Sequence, residues 1–239
     1  MTNNNTSKKL FITGTGTDIG KTYVTGLIVK KLLKSGRTSA YYKAAMSGNE
    51  RRADGSLIPG DALQVQTIAH SSQPLEEMCP YIYEAAVSPH LAARIEGSPV
   101  DMQVVQTGLQ ALEGRYEYIT MEGSGGILCP IRFERDETGK VTKQIFLEDV
   151  IKNLNLSCLL IADAGLGTIN SVVLTAEYMR AKNIPLKGII FNNYIPGDIM
   201  QEDNLHMCEY MTGLKVLACV RKGDTDLMLD VDELAALYE

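Results

Sequence analysis

The sequence has no long apolar run, no paired cysteines and no excess of positive charge, and each absence removes a class of function. No stretch approaches the ~20 consecutive apolar residues that a membrane-spanning helix needs, so no membrane role is expected. Residues 1–7 are polar and expected to be flexible, with lysines behind them and no apolar segment to read as a secretory signal. Five cysteines (Cys79, Cys129, Cys158, Cys208 and Cys219) lie scattered without a C-x-x-C pair. That pattern points to reduced thiols and a cytoplasmic location. His70, His90 and His206 lack metal-ligand spacing, so no zinc site is expected. The formal net charge of -6 repels a phosphate-rich polymer at long range, which argues against nucleic acid as a partner.

What is present is a globular core. The chain has 239 residues, 45% hydrophobic and 22% charged, which suits one large domain spanning 1–239. Short apolar runs at 10–13, 39–42, 118–121, 158–162, 188–191 and 216–219 read as strands buried on both faces. Helical stretches at 21–34, 61–69, 102–112, 147–154, 170–181 and 201–211 alternate with them. This order predicts an α/β fold with a mostly parallel central sheet flanked by helices on both faces. Ligands of such sheets sit beyond the carboxyl ends of the strands. Residues 134–140 carry turn chemistry and high charge, as expected of an exposed hairpin tip. The methionines around 200–211 read as core filling.

The segment from Gly14 to Thr22 (GTGTDIGKT) fits G-x-x-x-x-G-K-[ST], straight after a strand and straight before a helix. Glycines there let the backbone wrap a phosphate, and the helix N-terminus adds partial positive charge. The motif marks a P-loop NTPase fold, with Lys21 reaching the β- and γ-phosphates of ATP and Thr22 holding Mg²⁺. Partitioning and septum-site ATPases carry a lysine one residue after the first glycine; here that residue is Thr15.

Five further features lie at strand ends or helix starts. Lys43 and Ser47 sit in the turn after the second strand, although a lysine there could also be a surface residue. Asp61 opens the next helix, as a site carboxylate or as an N-cap. Glu122 ends a buried strand before Gly-Ser-Gly-Gly, which suits a second Mg²⁺ contact. Gly167 and Thr168 lie in a turn into a helix, which is an anion site or a plain turn capped by Thr168. Asn192, past another strand, has the donor and acceptor that pair with adenine.

Together these pieces resemble the dethiobiotin synthetase family from about Leu10 to Thr212. The carriers are the Gly14–Thr22 loop, Tyr42-Lys43-Ala44-Ala45-Met46-Ser47-Gly48, Asp61-Ala62, Ser88-Pro89-His90, Glu122-Gly123-Ser124-Gly125-Gly126 and Leu166-Gly167-Thr168-Ile169-Asn170. Departures are Gly16 for the family's Asp, Ala44 for Pro, Ser124 for Ala, and a longer charged insertion at 134–143. The resemblance implies ATP- and Mg²⁺-dependent joining of CO2 to 7,8-diaminononanoate, with ureido ring closure to dethiobiotin. It implies that Lys21, Lys43 and Thr17 act on the reacting groups, and that Thr17 and Ser47 hold the carbamate end. Thr22, Asp61 and Glu122 would surround Mg²⁺. Thr15, Gly16, Asp18, Ile19, Gly20, Lys21, Thr22, Tyr23 and Asn192 would hold the nucleotide. Gly167, Thr168, Asn170 and Tyr210 would take the substrate carboxylate from the second subunit of a homodimer, with active sites at the subunit interface.

Two rivals stand beside this reading. One is another ligase of the superfamily, of the corrin-amidase kind, which usually carries a glutaminase domain for which this chain leaves no room. The other is a nucleotide switch that binds a partner or membrane. Thr15 and the acidic stretch 230–239, in place of a basic amphipathic helix, count against it.

Overall fold

In the computed structural model, which describes residues 7–239, six parallel strands form one sheet in the order β2-β3-β1-β6-β7-β8. They are β1 (Lys8–Gly14), β2 (Ser39–Lys43), β3 (Tyr118–Glu122), β6 (Cys158–Asp163), β7 (Leu186–Asn192) and β8 (Val216–Val220). The six are the six apolar runs of the sequence. Their side chains are buried on both faces because helices cover both. Along β1 the assignment alternates: Leu10 and Ile12 pack with Val24, Leu27 and Ile28, while Phe11 packs with Tyr42, Ile119 and Met121.

Chain order explains where the site falls. From β1 the chain crosses to β2 and β3 on one side, and later to β6, β7 and β8 on the other. The carboxyl end of β1 therefore lies where the connections diverge, the position at which open sheets bind ligands. Helix α1 (Lys21–Lys34) leaves from that end, and α2 (Gly60–Ala69) packs across it. Their close approach depends on Gly26, where a Cβ would come within 2.9 Å of Ile68. Helices α4 (Met102–Gln110), α5 (Leu147–Asn153), α6 (Thr168–Ala181) and α7 (Ile199–Thr212) match predicted segments to within two or three residues.

Several details differ from expectation. Helix α2 is capped at Pro59, so Asp61 lies inside the first turn and is not the N-cap. Helix α6 starts at Thr168 with Gly167 at φ 90 as its cap; Thr168 is thus not a cap, and its hydroxyl bonds nothing. Met200 and Met211 are exposed and so are not core filling, Met207 is half-buried, and α7 buries Gln201, Asn204, Cys208 and Thr212. Helices α3 (Pro89–Ile95) and α8 (Val231–Ala235) were not foreseen, being too short to show a period. The expected hairpin exists, as β4 (Pro130–Arg135) and β5 (Val141–Phe146), antiparallel and outside the main sheet. Of residues 1–7, 1–6 lie outside the described residues; Ser7 is buried and donates to the Tyr116 carbonyl at 2.6 Å. No helix among the described residues is long and apolar enough to cross a membrane.

Candidate active site

The P-loop runs from the end of β1 into α1. Gly20 takes φ 87, a left-handed backbone that side chains resist, and a Cβ there would come within 2.1 Å of Asn192 Nδ2. That close approach is held by Asn192 itself, whose amide donates to the Ile19 carbonyl at 2.9 Å. The residue expected to read adenine therefore spends one donor bracing the loop, leaving its second amide hydrogen and its carbonyl. Lys21 Nζ folds back on the Gly16 carbonyl at 2.6 Å. Tyr23, at the first turn of α1, bonds the Asp224 carbonyl of the segment after β8.

Strand register builds the other half. Lys43 and Glu122 are paired at the ends of β2 and β3, so both side chains leave the sheet on one face. Lys43 Nζ lies 2.7 Å from Glu122 Oε1 and 2.6 Å from Asp61 Oδ2. Thr22 Oγ1 lies 2.9 Å from the same Glu122 oxygen and 3.4 Å from Asp61 Oδ1. Behind them the Tyr41 hydroxyl reaches Glu122 Oε2 at 3.3 Å. Lys43 and Glu122 are 5% and 1% exposed, so Lys43 is not the surface lysine it could have been.

Burial and charge oppose each other here. Burial alone would lower the Lys43 pKa, but Glu122 and Asp61 outweigh it and hold the ammonium above its ordinary value. Burial likewise pushes the Asp61 carboxyl up, yet the Lys43 charge and hydrogen bond bring it below the usual carboxylate value. Lys21 is lowered, first by burial and next by the neighbouring Lys43 charge. The two lysines thus share one pocket with Asp61 and Glu122, whose charges offset theirs.

A cavity of about 400 Å³ opens over this cluster, lined by Thr17, Asp18, Gly20, Lys21, Thr22, Tyr23, Lys43, Ser47, Asp61 and Glu122. It gathers both predicted lysines and all three predicted metal ligands. Met46, Gln64, Ser124 and Gly125 also line it and were not foreseen. Gln64 had a usable signal: it lies three residues after Asp61, on the same face of α2. Ser124 stood inside a recognised motif, but only the fold shows its hydroxyl donating to the Ala45 carbonyl at 2.9 Å.

The remaining predicted residues fall elsewhere. Thr15 and Ile19 line a smaller cavity of about 260 Å³ with Asp163, Gly167 and Thr168. Asn170 is exposed, and Tyr210 on α7 is 85% exposed; neither lines the Lys43 cavity. Leu166, Leu174 and Ile199 are exposed on the same pair of helices and their leading turns.

The donor set fits a hard cation. Thr22, Asp61 and Glu122 present oxygen only, and Mg²⁺ is commonly held by one or two carboxylates together with substrate phosphates. Among the described residues no group of three or more His, Cys, Asp or Glu is placed to hold a metal ion.

Comparison with known proteins extends these findings. A family profile described as an AAA domain matches residues 8–225. The chain is 46% identical to the ATP-dependent dethiobiotin synthetase BioD of Brachyspira hyodysenteriae, over 98% of this chain and 100% of that protein. It is 45% identical to the protein of the same name from Clostridium botulinum, over 98% and 99%. The Clostridium perfringens protein of that name is 40% identical over 95% and 96%. Among solved structures, the Aquifex aeolicus MinC:MinD cell division complex aligns with TM-score 0.55 at 13% identity, covering 97% of this chain and 86% of that one. A ParA family ATPase from Chlorobium tepidum aligns with TM-score 0.53 at 12% identity, covering 98% and 91%. At such identities the likeness is one of fold alone.

Proposed function

This chain belongs to the ATP-dependent dethiobiotin synthetase family, and we propose that it joins CO2 to 7,8-diaminononanoate and closes the ureido ring of dethiobiotin at the Lys43 cavity. It is a ligase of biotin biosynthesis that uses ATP. The observation that carries the assignment to this cavity is the Lys43 ammonium, buried between two carboxylates and beside the phosphate loop.

The route has three steps. One amine of the diamine adds to CO2 and loses a proton, giving a carbamate. A carbamate oxygen then attacks the γ-phosphorus of ATP and ADP leaves, giving a carbamic-phosphoric anhydride. The second amine attacks its carbonyl carbon, phosphate leaves with the C–O bond pair, and the nitrogen loses its proton as the ring closes. No residue needs to form a covalent bond, so positioning and charge supply most of the rate.

Each residue has work suited to its place. The P-loop amides and Lys21 hold the β- and γ-phosphates, and Lys21 opposes charge developing on the transferred group. Thr17 and Ser47 orient the carbamate. Lys43, kept protonated by its carboxylate neighbours, favours the anionic carbamate over the free amine and CO2. Thr22, Asp61 and Glu122 would hold Mg²⁺, which would supply further neutralisation of the phosphates. Asn192 has an amide hydrogen and a carbonyl left for adenine.

The substrate carboxylate is several methylenes from the amines. Gly167, Thr168, Asn170 and Tyr210 lie off the Lys43 cavity of their own chain, which supports their serving a second copy in a homodimer. The exposed Leu166, Ile199 and Tyr210 give that contact apolar surface.

Phosphate release from Mg·ATP with bicarbonate, plus and minus the diamine, tests the reading, with mass spectrometry of the product. Diamine-dependent release with a cyclic urea is expected. Release that ignores the diamine overturns it.

A further inference from the structure

Two sequence features play no part in the reaction above: His90 of the Ser-Pro-His turn, and the charged hairpin insertion. They meet in space. A cavity of about 670 Å³, larger than the one over the P-loop, lies between α3 and the β4–β5 hairpin. Its walls include His90, Ala93 and Arg94 from α3, and Phe133, Glu134 and Arg135 from β4. The volume falls in the range that encloses a small organic ligand.

The charges in the wall are not equivalent. Arg132 is committed: it donates to Glu134 Oε1 at 2.7 Å and to the Val100 carbonyl at 2.9 Å. His90 is held below its ordinary pKa by burial and by Arg94, so it is neutral near pH 7 and adds no charge. Among the described residues neither Arg94 nor Arg135 has a carboxylate within ion-pair distance. The Arg135 guanidinium is stacked instead, 5.1 Å from the centroid of the Phe133 ring. Stacking pre-orients its planar fork, and two such forks recognise a carboxylate. Phe133, Ala93 and Pro99 supply an apolar floor. Arg132 and Glu134 offset one another, so Arg94 and Arg135 set the charge of the wall.

We propose that this cavity is a second ligand site, separate from the P-loop site, that takes a small monocarboxylate with an apolar tail. The carboxylate lies on Arg94 and Arg135 and the tail lies over Phe133 and Ala93.

Octanoate is the probe, titrated by calorimetry into the whole protein with the P-loop occupied by Mg²⁺ and a non-hydrolysable ATP analogue. Saturable binding of one octanoate per chain is expected. The double substitution Arg94→Ala/Arg135→Ala weakens it at least about tenfold, the loss of one good charge-assisted contact, while dethiobiotin formation is unchanged. Octylamine, with the same tail and opposite charge, does not compete. The proposal is overturned if octanoate shows no saturable binding, if binding persists in the double variant, or if octylamine displaces it. Persistence in the double variant would place octanoate at the diamine site, leaving the proposed reaction intact.

Discussion

The Ser124 hydroxyl donates to the Ala45 carbonyl at 2.9 Å, joining the loop after Glu122 to the turn after Lys43. The β2–β3 ladder ends at the Lys43–Glu122 pair, and this side-chain bond supplies one further rung. Ser124 is thereby tied to Ala45, the residue that follows Ala44 in the turn. Ser124→Ala should raise the KM for the diamine about fivefold, the equivalent of one hydrogen bond near 1 kcal/mol, with the KM for ATP unchanged. Steady-state kinetics with each substrate varied in turn check this. An unchanged diamine KM would mean that the loops keep their register without the bond.

Lys43→Gln should abolish ring closure while ATP binding stays near normal, because the P-loop is untouched. Removing a key charge-stabilising donor costs ~10² or more in rate. Single-turnover product formation and nucleotide titration separate the two. Turnover within about threefold of the parent chain would remove Lys43 from the chemistry, being far below that ~10².

Acid stability should depend on Asp61. Its folded pKa is depressed, through Lys43, so its contribution is present above the unfolded value of about 3.9. That contribution disappears as pH falls through the lower folded value. Asp61→Asn should therefore melt below the parent at pH 7, and the gap should close below about pH 3.9. Calorimetric Tm values from about pH 7 down to about pH 2, spaced closely below about pH 3.9, report it. A gap that widened toward acid would contradict the Lys43–Asp61 ion pair.

Gly20→Ala asks a side chain to adopt φ 87 and to overlap the Asn192 amide. The backbone strain alone is of order 1–3 kcal/mol. ATP binding should be lost while the far face of the sheet stays folded, which nucleotide titration and amide exchange will show. Retained ATP affinity would show that the loop tolerates another path.

The shared-site homodimer predicts complementation. Lys43→Gln and Asn170→Glu variants should each be inactive, yet a mixture allowed to exchange subunits should recover ~25% of activity, since random pairing makes half the dimers mixed with one intact site each. Sedimentation should give a dimer. No recovery from a mixture shown to contain mixed dimers would mean that each chain builds its own site.

Much of this was legible because buried parallel strands and a P-loop leave local signatures. Leu10, Ile12, Leu160 and Ile190 are apolar whatever their neighbours, and Gly20-Lys21-Thr22 are contiguous. The convergence of Thr22, Lys43, Asp61 and Glu122 was legible only as separate motifs; sheet order supplies the contact. Other features had no local mark. Helix α3 has seven residues, too few for a period, and β5 is mostly exposed, with no buried alternation to read. The bond of Asn192 to Ile19 spans 173 positions, and nothing near either residue announces it.

The small cavity that Thr15 and Ile19 share with Gly167 and Thr168 has a consequence for a paired molecule. In the proposed homodimer, the helix start offered to a neighbour's substrate would also be the back wall of the same protomer's nucleotide loop. Filling one protomer with ATP would then stiffen the cradle that its neighbour uses, and the two halves would titrate cooperatively. A Hill coefficient for the diamine that changes with nucleotide saturation is the signature of that shared wall.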